Sequence, residues 1–448
     1  MLKKLFSAVL IICAFCCYPA AGRHQLSAAE AEDRQDAVLE SLIAQALKDN
    51  PQISAAAERI NAAEYEVSAA KAKMLPSAVA AGAGLWQRDG LKAQIPLPSL
   101  GGINIPIMHN YTYGAALMLN QIIYSGGSLQ AKKQAAALAV DAEKAAAIRT
   151  GQGVAHAVRT AYYALRSAQA KNLVAEKALN LARHHYNHAE KLFKAGVVAK
   201  NDTLRGKVAV AEAELNKIRA ENGIALAKEG LIRAIGDNPN ADLAEKRSLE
   251  TIFAANNYFT YKVNNEDINE AFEKREELKV YSTLSKKAEK LAKAAHGQTL
   301  PQILASVGYV AIGHEFFPSD TSEPIAAIGI SWKFYDSGEM RAKTSEAKAK
   351  ARELLLLLEN EKNGVRMEVR QAQLSIESAL SRLEVAKRQL EHSREDYRIA
   401  SRRYEENVGT NLDMIDARVA LINSMSEVVT AIYDIKTAES NLTFAIGR

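Results

Sequence analysis

Two copies of one pattern fill this chain, and no other feature narrows its fold as much. Displaced by 335 − 124 = 211 positions, Tyr124 falls on Tyr335, Gly127 on Gly338, Gly153-Val154 on Gly364-Val365 and Val158-Arg159 on Val369-Arg370. The match continues through Tyr186 over Tyr397, Phe193 over Tyr404 and Asp202 over Asp413, and closes with Ala234-Ile235-Gly236 over Ala445-Ile446-Gly447. Upstream of Tyr124 the displacement is 300 − 75 = 225, with Ala46 over Ala271, Ala63-Glu64 over Ala288-Glu289 and Leu75-Pro76 over Leu300-Pro301. Self-similarity at a fixed displacement marks a duplicated structural unit. The first copy holds 225 − 211 = 14 extra residues between Pro76 and Tyr124. Insertions gather in exposed loops, and Asp89 to Asn110, rich in Gly and Pro, reads as that loop.

Each copy follows the same order. A helical stretch (36–73; 266–296) ends before a Pro, and two short segments rich in Gly, Ala, Val, Ile and Tyr follow, read as strands 77–88 and 111–124, then 302–314 and 324–335. Long Pro-free runs of Ala, Leu, Glu, Lys, Arg and Gln occupy 128–194 and 339–405, and shorter helices return over 201–236 and 411–446. At ~1.5 Å per residue each long run reaches roughly 100 Å, which argues for a helical tower. Gly153 and Gly364 recur inside the towers, where Gly costs about 1 kcal/mol against Ala, so a bend or a close contact is expected there. The units are 23–240 and 265–448, joined by a linker over 241–264.

The first residues are a secretion signal in form. Lys3 and Lys4 precede an apolar run from Leu5 to Cys17, and Ala20, Ala21 and Gly22 follow, so a signal peptide over 1–22 is expected. Cys13, Cys16 and Cys17 all lie in that run, leaving a mature chain without disulfide, thiolate metal site or Cys nucleophile. Removing Lys3 and Lys4 from a net charge of +5 gives 5 − 2 = +3, too balanced for a nucleic-acid binder. No later apolar stretch approaches the ~20 residues of a membrane helix, so membrane entry requires a β-barrel. Residues 325–334 alternate as an outer-membrane strand does: Ala326, Ile328, Ile330, Trp332 and Phe334 on one face, Ala327, Gly329, Ser331 and Lys333 on the other. Four strands cannot close a barrel that needs about eight, so the edges are expected to pair with further copies of the chain.

Asn50-Pro51 leading an Ala-rich helix into Leu75-Pro76, the strand-exit turns Tyr124-Ser125-Gly126-Gly127 and Tyr335-Asp336-Ser337-Gly338, and the tip strings Phe193 to Ala199 and Tyr404 to Asp416 resemble, in this order, the TolC family of outer-membrane efflux and secretion channels. The resemblance spans essentially the whole mature chain. It implies a mainly α fold with a membrane β-barrel: a trimeric α/β barrel taking four strands from each chain, continued by a periplasmic helical tunnel. As partners it implies a homotrimer, outer-membrane lipid, a periplasmic adaptor and an inner-membrane transporter of RND, ABC or MFS type, in an efflux pump or a type I secretion system. By the same likeness Asp413 and Asp416, three apart on one helix face, ring the periplasmic entrance, and Asp202 and Tyr404 latch it. Gly196, Val197, Val198, Val408, Gly409 and Thr410 match the tips that meet the adaptor. The position of the family's latch Arg falls on Gly409 or Asn411. Each site residue also has a plain structural reading: Asp413 complements a helix start behind Thr410 or Asn411, Asp202 extends a cap at Asn201, and small residues simply make turns.

His184, His185 and His188 include an i, i+4 pair, but without a third ligand nearby they read as a solvated helix face. Gly206-Lys207 lacks the rest of a phosphate loop, and neither His-Glu-x-x-His nor Gly-x-Ser-x-Gly occurs. No catalytic residue, metal site or cofactor is expected. The competing readings are a periplasmic coiled-coil adaptor and a secreted helical scaffold without a pore.

Overall fold

A computed structural model describes residues 28–86, 88, 92–95, 103–106, 110–241, 243, 248–254, 261–318, 320–406 and 408–448. The signal-peptide segment 1–22 lies outside the described residues. The chain runs α1 (Ala28–Asp49), α2 (Pro51–Ala72), β1 (Ser77–Trp86), β2 (Lys92–Ile95), β3 (Ile103–Pro106), β4 (Tyr111–Tyr124), α3 (Ser128–Lys194) and α4 (Lys200–Ile235). It continues with α5 (Leu249–Ala254), α6 (Glu266–Lys274), α7 (Glu276–Gly297), β5 (Gln302–Gly313), β6 (Thr321–Ser331), α8 (Glu339–Glu405) and α9 (Asn411–Ile446).

Helices α3 and α8 are 67 residues each, roughly 100 Å at ~1.5 Å per residue. Their length is held by packing, since propensity alone leaves exposed helices marginal. On α3 the buried positions Val154, Val158, Tyr162 and Leu165 keep helical spacing and meet Leu39, Leu42, Leu231 and Ile235 from α1 and α4. Further along, Ala170 and Val174 pack with Leu383 and Leu390 of α8 and with Leu421, Val428 and Ile435 of α9. Near the other end of α9, Leu442 and Ile446 meet Leu278 of α7 and Val365 and Val369 of α8. Each fully buried Leu or Ile contributes about 1.5–3 kcal/mol. Small residues such as Ala131, Ala135 and Ala139 let α3 lie close to its neighbours. A Cβ at Gly153 or Gly364 would meet nothing within 4 Å, so no close contact within the chain accounts for these glycines.

The expected helices 36–73 and 266–296 are each interrupted. Pro51 has no N–H to donate, so α1 stops and Asn50 becomes the N-cap of α2, its Oδ1 accepting from Gln52 N at 2.8 Å. Arg275 takes an extended backbone conformation (φ −67, ψ 113) between α6 and α7. The expected loop 89–110 contains a two-stranded antiparallel ribbon, β2 with β3. The last strand covers Thr321–Ser331 rather than 324–335; Pro324 is accommodated because β6 is a sheet edge.

The main sheet is antiparallel throughout, in the order β1-β4-β5-β6. Register places Trp86 opposite Tyr111, Leu117 opposite Ala80 and Tyr309, Leu119 opposite Val307, and Ala305 opposite Ile328. Paired residues share a face, so this one carries Trp86, Tyr111, Tyr113, Leu117, Leu119, Tyr309, Ile328 and Ile330. The other face carries Thr112, Asn120, Ser306, Thr321 and Glu323, the last being the one charged residue of the four strands. Leu117, Val307 and Ile328 on the apolar face are 60%, 57% and 78% exposed. The turn out of β4 needs Gly126: its φ is +63 and a Cβ there would lie 2.1 Å from the Gly297 carbonyl oxygen.

Candidate functional site

The two long hairpins end side by side at the pole opposite the sheet. At the α3–α4 turn, Gly196 N bonds to Phe193 O and Val197 N to Leu192 O, each at 2.9 Å, closing the helix end. Val197 is left 53% exposed. In the α8–α9 turn Val408 and Gly409 both donate to Arg403 O at 2.9 Å, and Val408 is 65% exposed. Thr410 and Asp413 then form a reciprocal capping box at the start of α9, with Asp413 N donating to Thr410 Oγ1 at 3.1 Å. Asp413 and Asp416 are exposed on α9.

Asn411 ties the two hairpins together. It is 6% exposed. Its Oδ1 lies 2.7 Å from His185 Nε2 on α3, and its Nδ2 donates to Asp202 Oδ1 on α4 at 2.9 Å. Tyr404, in the last turn of α8, packs its ring 5.1 Å from His185 and 6.0 Å from His188. The Tyr404 hydroxyl and His188 Nε2 are buried and without a hydrogen-bond partner among the described residues, a costly state that marks the cluster as specialised. Burial pushes the His185 pKa down, and Arg418 adds to this, while the bond to Asn411 opposes it. Burial, then the nearby Asp202 carboxylate, pushes the Tyr404 hydroxyl up.

Two expectations change here. His185 is 2% exposed, not part of a solvated face; its neighbours Ala182 and Ala189 are also buried, and that 3-then-4 spacing was the available signal. The N-cap of α4 is Ala199, with no side-chain cap, so Asp202 extends no cap at Asn201 and instead accepts from Asn411. Sequence reasoning offered Asn411 only as a helix cap or as one of two matches to the latch position, and missed Arg418, whose charge acts on His185. Among the described residues no group of three or more His, Cys, Asp or Glu is arranged to hold a metal, and no helix is long and apolar enough to cross a membrane.

A mainly helical chain whose small antiparallel sheet exposes a face without charge, and whose helices carry that sheet on a long stem, has the build of an outer-membrane channel. The outer membrane efflux protein family matches residues 42–237 and 268–448, and the chain belongs to that family. It is an efflux channel of the outer membrane, in a family of channel proteins and not of enzymes. The probable efflux pump outer membrane protein TtgC of Pseudomonas putida is 22% identical over 429 residues, spanning 94% of this chain and 86% of that protein. The outer-membrane channel OprN superposes with a TM-score of 0.76 at 20% identity, over 95% of this chain and 93% of OprN. CmeC of Campylobacter jejuni gives 0.74 at 15% identity, over 98% and 94%.

Proposed function

We propose that three copies of the chain close one barrel in the outer membrane and form the exit duct of a tripartite export assembly. The sheet carries this reading. The edge strands β1 and β6 each pair with one inner strand and have no strand on their outer side among the described residues, and an open edge invites another strand. Closure with two further copies satisfies the edges and turns the uncharged face to lipid, with the Thr112, Asn120, Ser306 and Glu323 face toward a water-filled lumen. The helices extend that lumen into the periplasm after removal of the signal peptide, and cargo moves through it passively.

In this assembly Asp413 and Asp416 line the periplasmic mouth, and Asn411 stands in for the family's Arg, latching Asp202 and His185 beside Tyr404. The exposed turns at Gly196, Val197 and Val198 and at Val408, Gly409 and Thr410 meet a periplasmic adaptor, which joins the duct to an inner-membrane transporter of RND, ABC or MFS type, in a drug-type pump or a type I secretion system. The test is fractionation followed by light scattering and planar-bilayer recording of the detergent-purified protein. An outer-membrane trimer that conducts supports the duct. A soluble, monomeric, non-conducting protein leaves a scaffold or an adaptor instead.

A further inference from the structure

A recess of about 390 Å³ lies where the sheet meets the helices, lined by Lys132, Lys333, Ser125, Gln302, Ser331 and a set of apolar side chains. That volume falls in the range of small-ligand sites, about 300–1,000 Å³. Its place on the sheet follows from register. Ile122 pairs with Leu304, Asn120 with Ser306, and Gln302 with Ser331, so Ile122, Gln302 and Ser331 share the face of Asn120 and Ser306, the polar one. Apolar cover comes from Ile122, Leu129, Leu300 and Met340.

The charged side chains of the lining are both positive. Neither Lys132 nor Lys333 enters an ion pair among the described residues. No carboxylate lines the recess; of the two nearest in sequence to Lys333, Asp336 accepts from Gly338 N at 3.0 Å and Met340 N at 2.8 Å, while Glu339 pairs with Lys343 at 2.5 Å and also feels the Lys333 charge without forming an ion pair with it. The start of α3 opens onto the same place through Ser128 and Leu129, and its first turn has no acidic residue to offset the partial positive charge of its amides. Two ammonium groups outside any ion pair, hydroxyl and amide donors, and an apolar wall together suit a ligand with an anionic head and an apolar body.

We propose that this recess is an anion-binding subsite in the conduction path, holding carboxylate, sulfonate or phosphate groups of amphiphilic cargo as it passes from the helical tunnel into the barrel. The location in the path rests on the duct reading above; the anion site itself does not. The probe is naphthalene-2-sulfonate, titrated against the purified channel in phosphatidylcholine nanodiscs, and applied separately to single channels in a planar bilayer. Expected is saturable binding that weakens at least tenfold in Lys132→Gln/Lys333→Gln, persists in Lys132→Arg/Lys333→Arg, and is accompanied by current block. Equal binding by the Gln pair and the native protein overturns the site. Binding that phosphatidylglycerol nanodiscs abolish overturns the cargo assignment in favour of lipid. Lysine-dependent binding without block, in a channel that conducts, overturns the placement in the path and leaves the anion site; failure of the native protein to conduct at all sinks the duct reading separately.

Discussion

Asn50 and Arg275 hold equivalent posts at the two helix breaks: Asn50 Nδ2 donates to Ala234 O at 2.8 Å, and Arg275 Nη1 donates to Ala445 O at 3.0 Å. The donors are 275 − 50 = 225 apart and the acceptors 445 − 234 = 211 apart, the two displacements of the internal repeat. Each donor satisfies a carbonyl that a helix C-terminus leaves unpaired. Gly236, at φ +92, closes against Asn50 and the Pro51 ring, where an added Cβ would clash, lying 2.8 Å from both Asn50 Cα and Pro51 Cδ.

The two posts differ in what is lost on substitution. Arg275 is 2% exposed and also meets Glu277 and Glu368, each at 2.5 Å. Removing one partner of a buried pair costs about 3–5 kcal/mol. Glu277 keeps Arg149 at 3.2 Å and Glu368 is 57% exposed, which places Arg275→Met at the lower end, about 3 kcal/mol. Asn50→Ala loses a cap and one hydrogen bond, about 1–2 kcal/mol. Thermal unfolding followed by helical ellipticity should therefore rank Arg275→Met well below Asn50→Ala; the reverse order would mean that the ion pairs contribute nothing.

Asn411→Leu should loosen the tip while leaving the rest of the stem intact. It removes both bonds of the bridge and strands the His185 N–H and the Asp202 carboxylate, a cost of about 2–3 kcal/mol. Amide hydrogen exchange should accelerate around residues 185–205 and 404–415 and remain unchanged near Leu42 and Val158. Uniform acceleration along the helices would show that Asn411 supports the whole stem and is no local latch.

Acid should weaken the helical stem. Burial holds the pKa of His185 and of His156 below the ordinary 6.5; His156 sits 3.1 Å from Ser440 Oγ and stacks on Phe444 at 4.7 Å. The unfolded chain takes up protons near 6.5 that the native protein refuses. Stability is thus complete above that pH and declines below it, by at most about 1.4 kcal/mol per pH unit for each His until its folded-state value is reached. Glu270, held at about 2 by Arg448 and Lys274, adds acid sensitivity only where the unfolded carboxylate takes up protons, near and below its ordinary 4.5, and so adds little between about pH 7 and about pH 5. The thermal midpoint should fall between about pH 7 and about pH 5, and the fall should shrink in His185→Gln/His156→Gln, where Gln retains a donor for Asn411. An unchanged slope would assign the acid sensitivity elsewhere.

Much of this architecture was legible because its determinants are local. Long Pro-free helix-favouring runs, alternating short strands and turn glycines name a mainly helical chain with a small antiparallel sheet, and the order of the motifs names the family. What escaped depends on tertiary contact. Pro51 breaks the first helix locally, but the break at Arg275 has no such signal, and in both the buried polar side chain finds its partner far along the chain, Asn50 184 and Arg275 170 residues away. The β2–β3 ribbon hides in a segment whose Gly and Pro content signals only turns. His185 looks like one of three surface histidines until α9 brings Asn411 against it.

Asp413 and Asp416 decide whether the tip selects charge or merely starts a helix, and amide substitution separates the two. Asp413 Oδ2 accepts from Thr410 N at 3.4 Å, a long bond that an Asn carbonyl oxygen reproduces, so Asp413→Asn loses only the charge–dipole contribution, about 0.3–1 kcal/mol. Thr410→Ala does the opposite: it removes the cap, about 1 kcal/mol, and leaves both carboxylates in place. If the acids ring the mouth of a trimer, Asp413→Asn/Asp416→Asn should lower the cation-to-anion permeability ratio by roughly half an order of magnitude and relieve block by multivalent cations, while Thr410→Ala leaves both unchanged. Reversal potentials in a salt gradient give the answer directly. Selectivity that survives the double amide variant and is lost with Thr410 would mean that the carboxylates act only on the backbone of α9, and that whatever discriminates charge in this channel lies further along the path.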